Sequence, residues 1–136
     1  MEWADEITFS VFNDAWLTFN NHYNHSNITC EIFRKYVQQG EYIKYNLKDI
    51  MTSDIENLNL NRLKATSIKE AYPPSDNPRG VKDIQSVKYH MKNKYTSPCV
   101  MIQYLNHYIL LDGMHRLVAA SLSGKRKIAM LLIIID

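Results

Sequence analysis

Cysteine is scarce in this 136-residue chain, with Cys30 and Cys99 the only two. A chain of this length buries roughly two-thirds of the surface its unfolded form exposes, so a hydrophobic core suffices without disulfide staples. Two cysteines exclude a disulfide framework and fit a reducing compartment. Long apolar runs are missing as well. The longest, Ile128 to Ile135, falls far short of the ~20 residues a membrane-spanning helix needs and reads as a buried strand. Met1 to Glu6 is acidic where a secretory leader is basic, and no uninterrupted apolar run follows it. The expected location is therefore the cytoplasm, with no membrane partner. Charge of one sign is also in short supply. Sixteen Lys and Arg against fourteen Asp and Glu leave +2, without the basic surplus of a dedicated duplex-DNA binder. The chain shows no internal repeat and no linker long enough to split it into independent domains.

What is present is patterning. With 46% hydrophobic and 22% charged residues the composition is that of a globular domain. Before Leu60, Asp14 to Tyr23 and Cys30 to Val37 carry large apolar residues at helical spacing, separated by the polar loop Asn24 to Asn27. Ser53 or Asp54 is placed to cap a further turn before Ile55 and Leu58, yet Asn57 to Asn61 alternates with period two, as an extended exit does. Residues 1–60 thus form an N-terminal helical extension. Lys64 to Tyr72 reads as extended and ends at Pro73-Pro74. Asn77 as N-cap and Pro78 at the first helical position open a helix bearing Val81, Ile84, Val87 and Met91. Cys99 to Leu105 and Tyr108 to Leu111 form a hairpin around Asn106-His107. A helix from His115 to Ser123 ends at Gly124, and Ile128 to Ile135 closes the chain as a strand. The order over residues 61–136 is β-α-β-β-α-β, and the fold class is α/β of the α+β kind, packed with the extension.

Chemistry concentrates between Leu110 and Ala120. A strand end, a glycine turn and a helix start fall within eleven residues, Leu110-Leu111-Asp112-Gly113-Met114-His115-Arg116-Leu117-Val118-Ala119-Ala120. Gly113 reaches a backbone conformation closed to other residues, and the first helical N–H groups point outward. His115 and Arg116 add donors beside them, which outlines an anion site. Asp112 has three readings: it orients His115, holds a divalent ion, or caps the helix. An Asp-Gly pair by itself is an ordinary turn; the adjacent His and Arg, between apolar elements, call for a polar partner. Other polar residues carry less. His22, His25 and Cys30 are too irregularly spaced for a zinc set. His90 sits at a polar helix position, and Lys125-Arg126-Lys127 suits a helix C-terminus.

This turn, with Asn77-Pro78-Arg79 upstream and Leu117-Val118-Ala119-Ala120 and Gly124 after it, resembles the ParB/sulfiredoxin superfamily over about residues 64–136. The resemblance implies a small mixed sheet with helices, and phosphate binding by Gly113, Met114, His115 and Arg116. Sulfiredoxins hold a reactive cysteine where this chain has Met114, whose thioether forms no thiolate. ParB partition proteins use Gly-Glu-Arg-Arg here. The turn is most similar to the Asp-Gly-His-His-Arg of free serine kinases, departing from it at Met114. That similarity implies an ATP- or ADP-dependent kinase, CTP being an alternative nucleotide, acting on a small hydroxyl-containing metabolite with Mg²⁺, Asp112 being the metal's candidate ligand. Such chemistry needs a base for the attacking hydroxyl. The family's position after a proline falls at Pro74-Ser75-Asp76 and nominates Asp76, with Glu70 in reserve; Asp76 equally suits a helix cap. Catalytic roles thus fall to Asp76, Glu70, Asp112 and His115. Arg79 is placed to contact phosphate or substrate, or to be a solvated first-turn residue. Ser86, in a segment similar to the nucleotide-contacting helix of sulfiredoxins, otherwise reads as a surface serine. The superfamily leaves two alternatives: a ParB-like DNA-binding protein or nuclease, and a non-catalytic nucleotide-binding interaction module.

Overall fold

A computed structural model describes residues 9–24, 26–73, 80–93 and 98–135. The first two elements are α1 (Phe9–His22) and α2 (Cys30–Gln38). Val11, Ala15 and Phe19 follow one another at a spacing of four and form the buried stripe of α1. Thr29 caps α2 by accepting the Ile32 amide at 3.2 Å, and Phe33 is the residue α2 buries completely. Phe19 and Phe33 meet edge to face with ring centroids 5.2 Å apart, which locks the two helices together.

The extension is not wholly helical. Glu41–Asn46 forms strand β1, followed by α3 (Leu47–Thr52), the short β2 (Ile55–Glu56) and α4 (Leu60–Leu63). Of the two readings open after Ser53 and Asp54, a capped turn or an extended exit, Ile55–Glu56 takes the extended one, and the helix of this segment lies earlier. Asn46 caps it by accepting the Lys48 amide at 2.9 Å, and Ser53 sits at its C-terminal end. Lys64 to Tyr72, expected to be extended, contains α5 (Ile68–Ala71) instead. Ser67 and Glu70 explain the difference. Ser67 Oγ accepts the Glu70 amide at 3.1 Å, while the Glu70 carboxylate accepts Thr66 Oγ1 at 2.7 Å and the Thr66 amide at 3.3 Å. This is a close variant of the reciprocal capping box, strong enough to override an extended reading of so short a segment.

The rest comprises α6 (Gly80–Lys92), β3 (Cys99–Tyr104), β4 (His107–Asp112), α7 (Met114–Leu122) and β5 (Lys127–Ile135). The β3–β4 hairpin turns at Leu105-Asn106 rather than Asn106-His107, because both central residues take positive φ, 53° and 65°, as a primed two-residue turn requires. His107 is thereby the first residue of β4, opposite Tyr104. Helix α7 ends in a Schellman arrangement. Gly124 (φ 71°) donates to the Ser121 carbonyl at 3.1 Å and Lys125 to the Ala120 carbonyl at 3.0 Å.

The five strands form one mixed sheet in the order β1-β5-β3-β4-β2. β3 runs parallel to β5 and antiparallel to β4, while β1 is antiparallel to β5 and β2 parallel to β4. Alternation along the central strands sorts the core into two layers. Val100, Ile102, Ile109, Leu111, Leu131 and Ile133 face α1 and α2. Cys99, Met101, Leu110 and Met130 face Leu47 and Ile50 of α3, Leu63 of α4 and Leu117 of α7. A third cluster, including Tyr72, Val87 and Val118, packs α5 and α6 against the outer side of α7. The fold is thus mixed α and β, as expected at the level of class. No helix among the described residues is long and apolar enough to cross a membrane.

Candidate functional site

The register between β3 and β4 slips just before the glycine turn. Val100 pairs with Asp112 but Met101 with Leu110, so Leu111 is the extra residue of a bulge. Gly113 follows as the N-cap of α7 with φ 116°. Two constraints require glycine here. The conformation is left-handed, and a Cβ would lie 2.6 Å from Cys99 Sγ and 2.8 Å from Cys99 Cβ. The first helical bond runs from the Leu117 amide to the Gly113 carbonyl at 2.9 Å, and no side chain caps the helix. The amides of Met114, His115 and Arg116 therefore lie in the turn whose donors find no acceptor within the helix. All three residues line an open cleft of about 740 Å³. Its other walls are the 57–62 segment, His90 of α6 and the end of β4.

The ionic side chains lining this cleft are Arg62, Arg116 and Asp112. Arg116 donates to the Pro98 carbonyl at 3.0 Å and to Asp112 Oδ2 at 3.1 Å, which fixes its position. Arg62 of α4 also lines the cleft, its guanidinium 4.6 Å from the centre of the Tyr72 ring. Tyr72 is buried, and its ring centre lies 5.5 Å from that of His115. Burial pushes the Tyr72 hydroxyl above its usual range, against the pull of Arg62. His115 Nε2 lies 2.9 Å from Oδ1 of Asp83 on α6, a carboxylate with only 9% of its side chain exposed. Among the described residues, Asp112 is the one carboxylate that lines the cleft, beside Arg62 and Arg116.

Two buried polar atoms of cleft-lining residues, His90 Nδ1 and Arg116 Nε, lack a hydrogen-bond partner among the described residues. Desolvation first, and then the charge of Arg116 and the proximity of His115, lowers His90 to about 4, so its imidazole is neutral at neutral pH. Cys99 is pushed up to about 12, first by burial, so it remains a thiol and a packing residue. Met114 joins the core clusters on either side of α7, and its thioether packs while its backbone belongs to the turn.

The site residues expected from sequence divide accordingly. Asp112, Gly113, Met114, His115 and Arg116 come together. Asp112 orients Arg116 rather than His115, and it does not cap the helix, whose N-cap is Gly113. Glu70 is exposed, its carboxylate engaged by Thr66, and it does not line the cleft. Ser86 lies half-buried on α6 outside the lining. Asp76 and Arg79 lie outside the described residues. As a resident metal's ligand Asp112 fits poorly, because Arg116 engages its carboxylate and no three His, Cys, Asp or Glu side chains gather among the described residues. Arg62 and Asp83 escaped the sequence reading, and His90, read there only as a polar helix position, lines the cleft. Asp83, Val87 and His90 stand at i, i+4 and i+7 on one face of α6, a signal that was available. Nothing local marks Arg62. Comparison of the chain with protein-family models, with curated proteins and with solved structures finds no match.

Proposed function

We propose that the cleft holds the phosphates of a nucleotide and that the chain is an ATP- or ADP-dependent phosphotransferase acting on a small hydroxyl compound. One observation carries the reading. The N-terminus of α7 opens without a side-chain cap into a cleft flanked by Arg62, His115 and Arg116. Free amides at a helix start, with the guanidiniums of Arg116 and Arg62 lining the same cleft, suit phosphate oxygens, and a volume of about 740 Å³ is in the range of small-molecule sites.

In this reading the Met114, His115 and Arg116 amides receive the phosphate oxygens, and Arg62 closes on them from α4. The acceptor's hydroxyl oxygen attacks the terminal phosphorus as its proton passes to a carboxylate. The bond to the nucleotide's bridging oxygen breaks, and the charge left on the departing phosphate rests against the α7 terminus. The resemblance of the turn to free serine kinases assigns the proton to Asp76. Magnesium belongs with the incoming nucleotide, where it neutralises phosphate charge, rather than with a cage of this chain's residues.

A thermal-shift series with ATP, ADP and CTP in the presence of Mg²⁺ tests the site. At about 100-fold excess over Kd the gain is about 2.7 kcal/mol, or several degrees in Tm. The shift is expected to disappear in His115→Ala and Arg62→Ala. No response to any nucleotide, or salt-sensitive retention on DNA in its place, overturns the reading. Nucleotide binding without phosphorylated product from a panel of hydroxyl metabolites assigns the cleft to a non-catalytic module.

A further inference from the structure

An ionised carboxylate only accepts hydrogen bonds. Because Asp83 Oδ1 lies 2.9 Å from His115 Nε2, that nitrogen carries the hydrogen whether the ring is neutral or cationic. The other nitrogen, Nδ1, makes no hydrogen bond among the described residues, and His115 lines the cleft. Tyr72, packed at 5.5 Å, holds the ring from another side. A neutral His115 therefore presents a bare lone pair at Nδ1, and only the cation presents an N–H there.

We infer that Asp83 is a positioning residue that makes anion binding in the cleft proton-linked, with His115 donating to a bound oxyanion only when its ring is cationic. This rests on the cleft being the phosphate site proposed above. The same contact that keeps a donor on Nε2 turns an uncharged ring into a group that repels phosphate oxygens. The cleft thus takes up an oxyanion together with a proton and releases both as pH rises.

The surrounding groups leave this role to His115. Arg62 of α4 and Arg116 of α7 stay charged throughout. Asp112 of β4 is engaged by Arg116. On α6, His90 is already neutral above about pH 4. Tyr72, after α5, and Cys99 of β3 are both shifted upward, Cys99 to about 12.

Sulfate tests the inference, because its own charge is constant from pH 5.5 to 8.5. Calorimetric titration of the full chain is expected to show affinity falling about tenfold or more across this range, as a charge-assisted hydrogen bond is lost. In Asp83→Asn the amide NH₂ can donate to Nε2, so the neutral ring carries its hydrogen on Nδ1. Its profile is expected to flatten, and at pH 8.5 the variant binds sulfate more tightly than the native chain. A merely structural role weakens binding at every pH instead. An unchanged profile in Asp83→Asn overturns the inference, as does a pH-independent affinity in the native chain. Imidazole ¹⁵N NMR of the native chain supplies a test independent of the variant's folding. A neutral His115 with its hydrogen on Nε2 is expected, and one with its hydrogen on Nδ1 overturns the assignment. If sulfate and nucleotides bind at no pH, the failure lies with the phosphate reading; nucleotide binding that persists without the pH effect isolates the failure to Asp83.

Discussion

Gly113 joins the turn, the sheet and the cleft in one residue. Its φ of 116° lets the chain leave β4 and enter α7, and its missing side chain lets Cys99 approach. Gly113→Ala is expected to cost about 2–4 kcal/mol, from left-handed strain and overpacking together. Urea denaturation measures it. Adding Cys99→Ala removes the sulfur at 2.6 Å but leaves the Cys99 Cβ at 2.8 Å and Cα at 3.0 Å, so rescue is expected to be partial. Full recovery in the double variant shows that the thiol alone demanded glycine. Cys99 was visible in the sequence as one of two cysteines, but its function in shaping the turn was not. That depends on β3 lying directly against a segment 14 residues away.

Short helices in this chain depend on their ends, since a few residues cannot recover the cost of helix nucleation alone. Asn59 caps α4 by accepting the Arg62 amide at 3.1 Å, and the Ser121 hydroxyl of α7 donates to the Leu63 carbonyl at 2.9 Å. These two bonds hold the segment that carries Arg62 beside α7. At the start of α5, Glu70 belongs to the same class of device. Glu70→Ala is expected to lower stability by about 0.5–1 kcal/mol and to leave nucleotide binding and any turnover intact. Thermal denaturation and the thermal-shift series measure both on one preparation. Lost turnover with stability unchanged restores Glu70 as a candidate base. The Ser67 to Glu70 pattern was present in the sequence, although the apolar residues around it also suited a strand, and burial of Ala71 and Tyr72 against α6 and α7 decided the matter.

At the scale of the whole molecule, residues before 60 complete the sheet at both edges. β1 hydrogen-bonds along β5 from Glu41–Leu132 to Asn46–Lys127, and β2 pairs with β4. Helices α1 and α2 cover the face formed by Val100, Ile102, Ile109, Leu111, Leu131 and Ile133. A chain limited to residues 61–136 exposes that face and leaves β5 with an open edge. It is expected to aggregate or remain unfolded, and circular dichroism with sedimentation measures the outcome. A monomeric truncated chain with a cooperative transition assigns the first 60 residues an accessory role.

Local pattern determined much of this protein. Helices α1, α2, α6 and α7, the hairpin and the last strand follow from apolar spacing, turn residues and caps, which act over a few residues and are written in them. The Asp112 to Arg116 turn was legible for the same reason, being contiguous. β1 was not, because Glu41 to Asn46 becomes a strand through its bonds to β5, some 90 residues later. Arg62, Asp83 and His90 come from two separate segments; the helical spacing of Asp83 and His90 puts them on one face of α6, yet nothing in either segment ties it to the turn they flank. Only packing on α7 sets them around the cleft, and only that packing decided that Asp112 holds Arg116 while Asp83 holds His115.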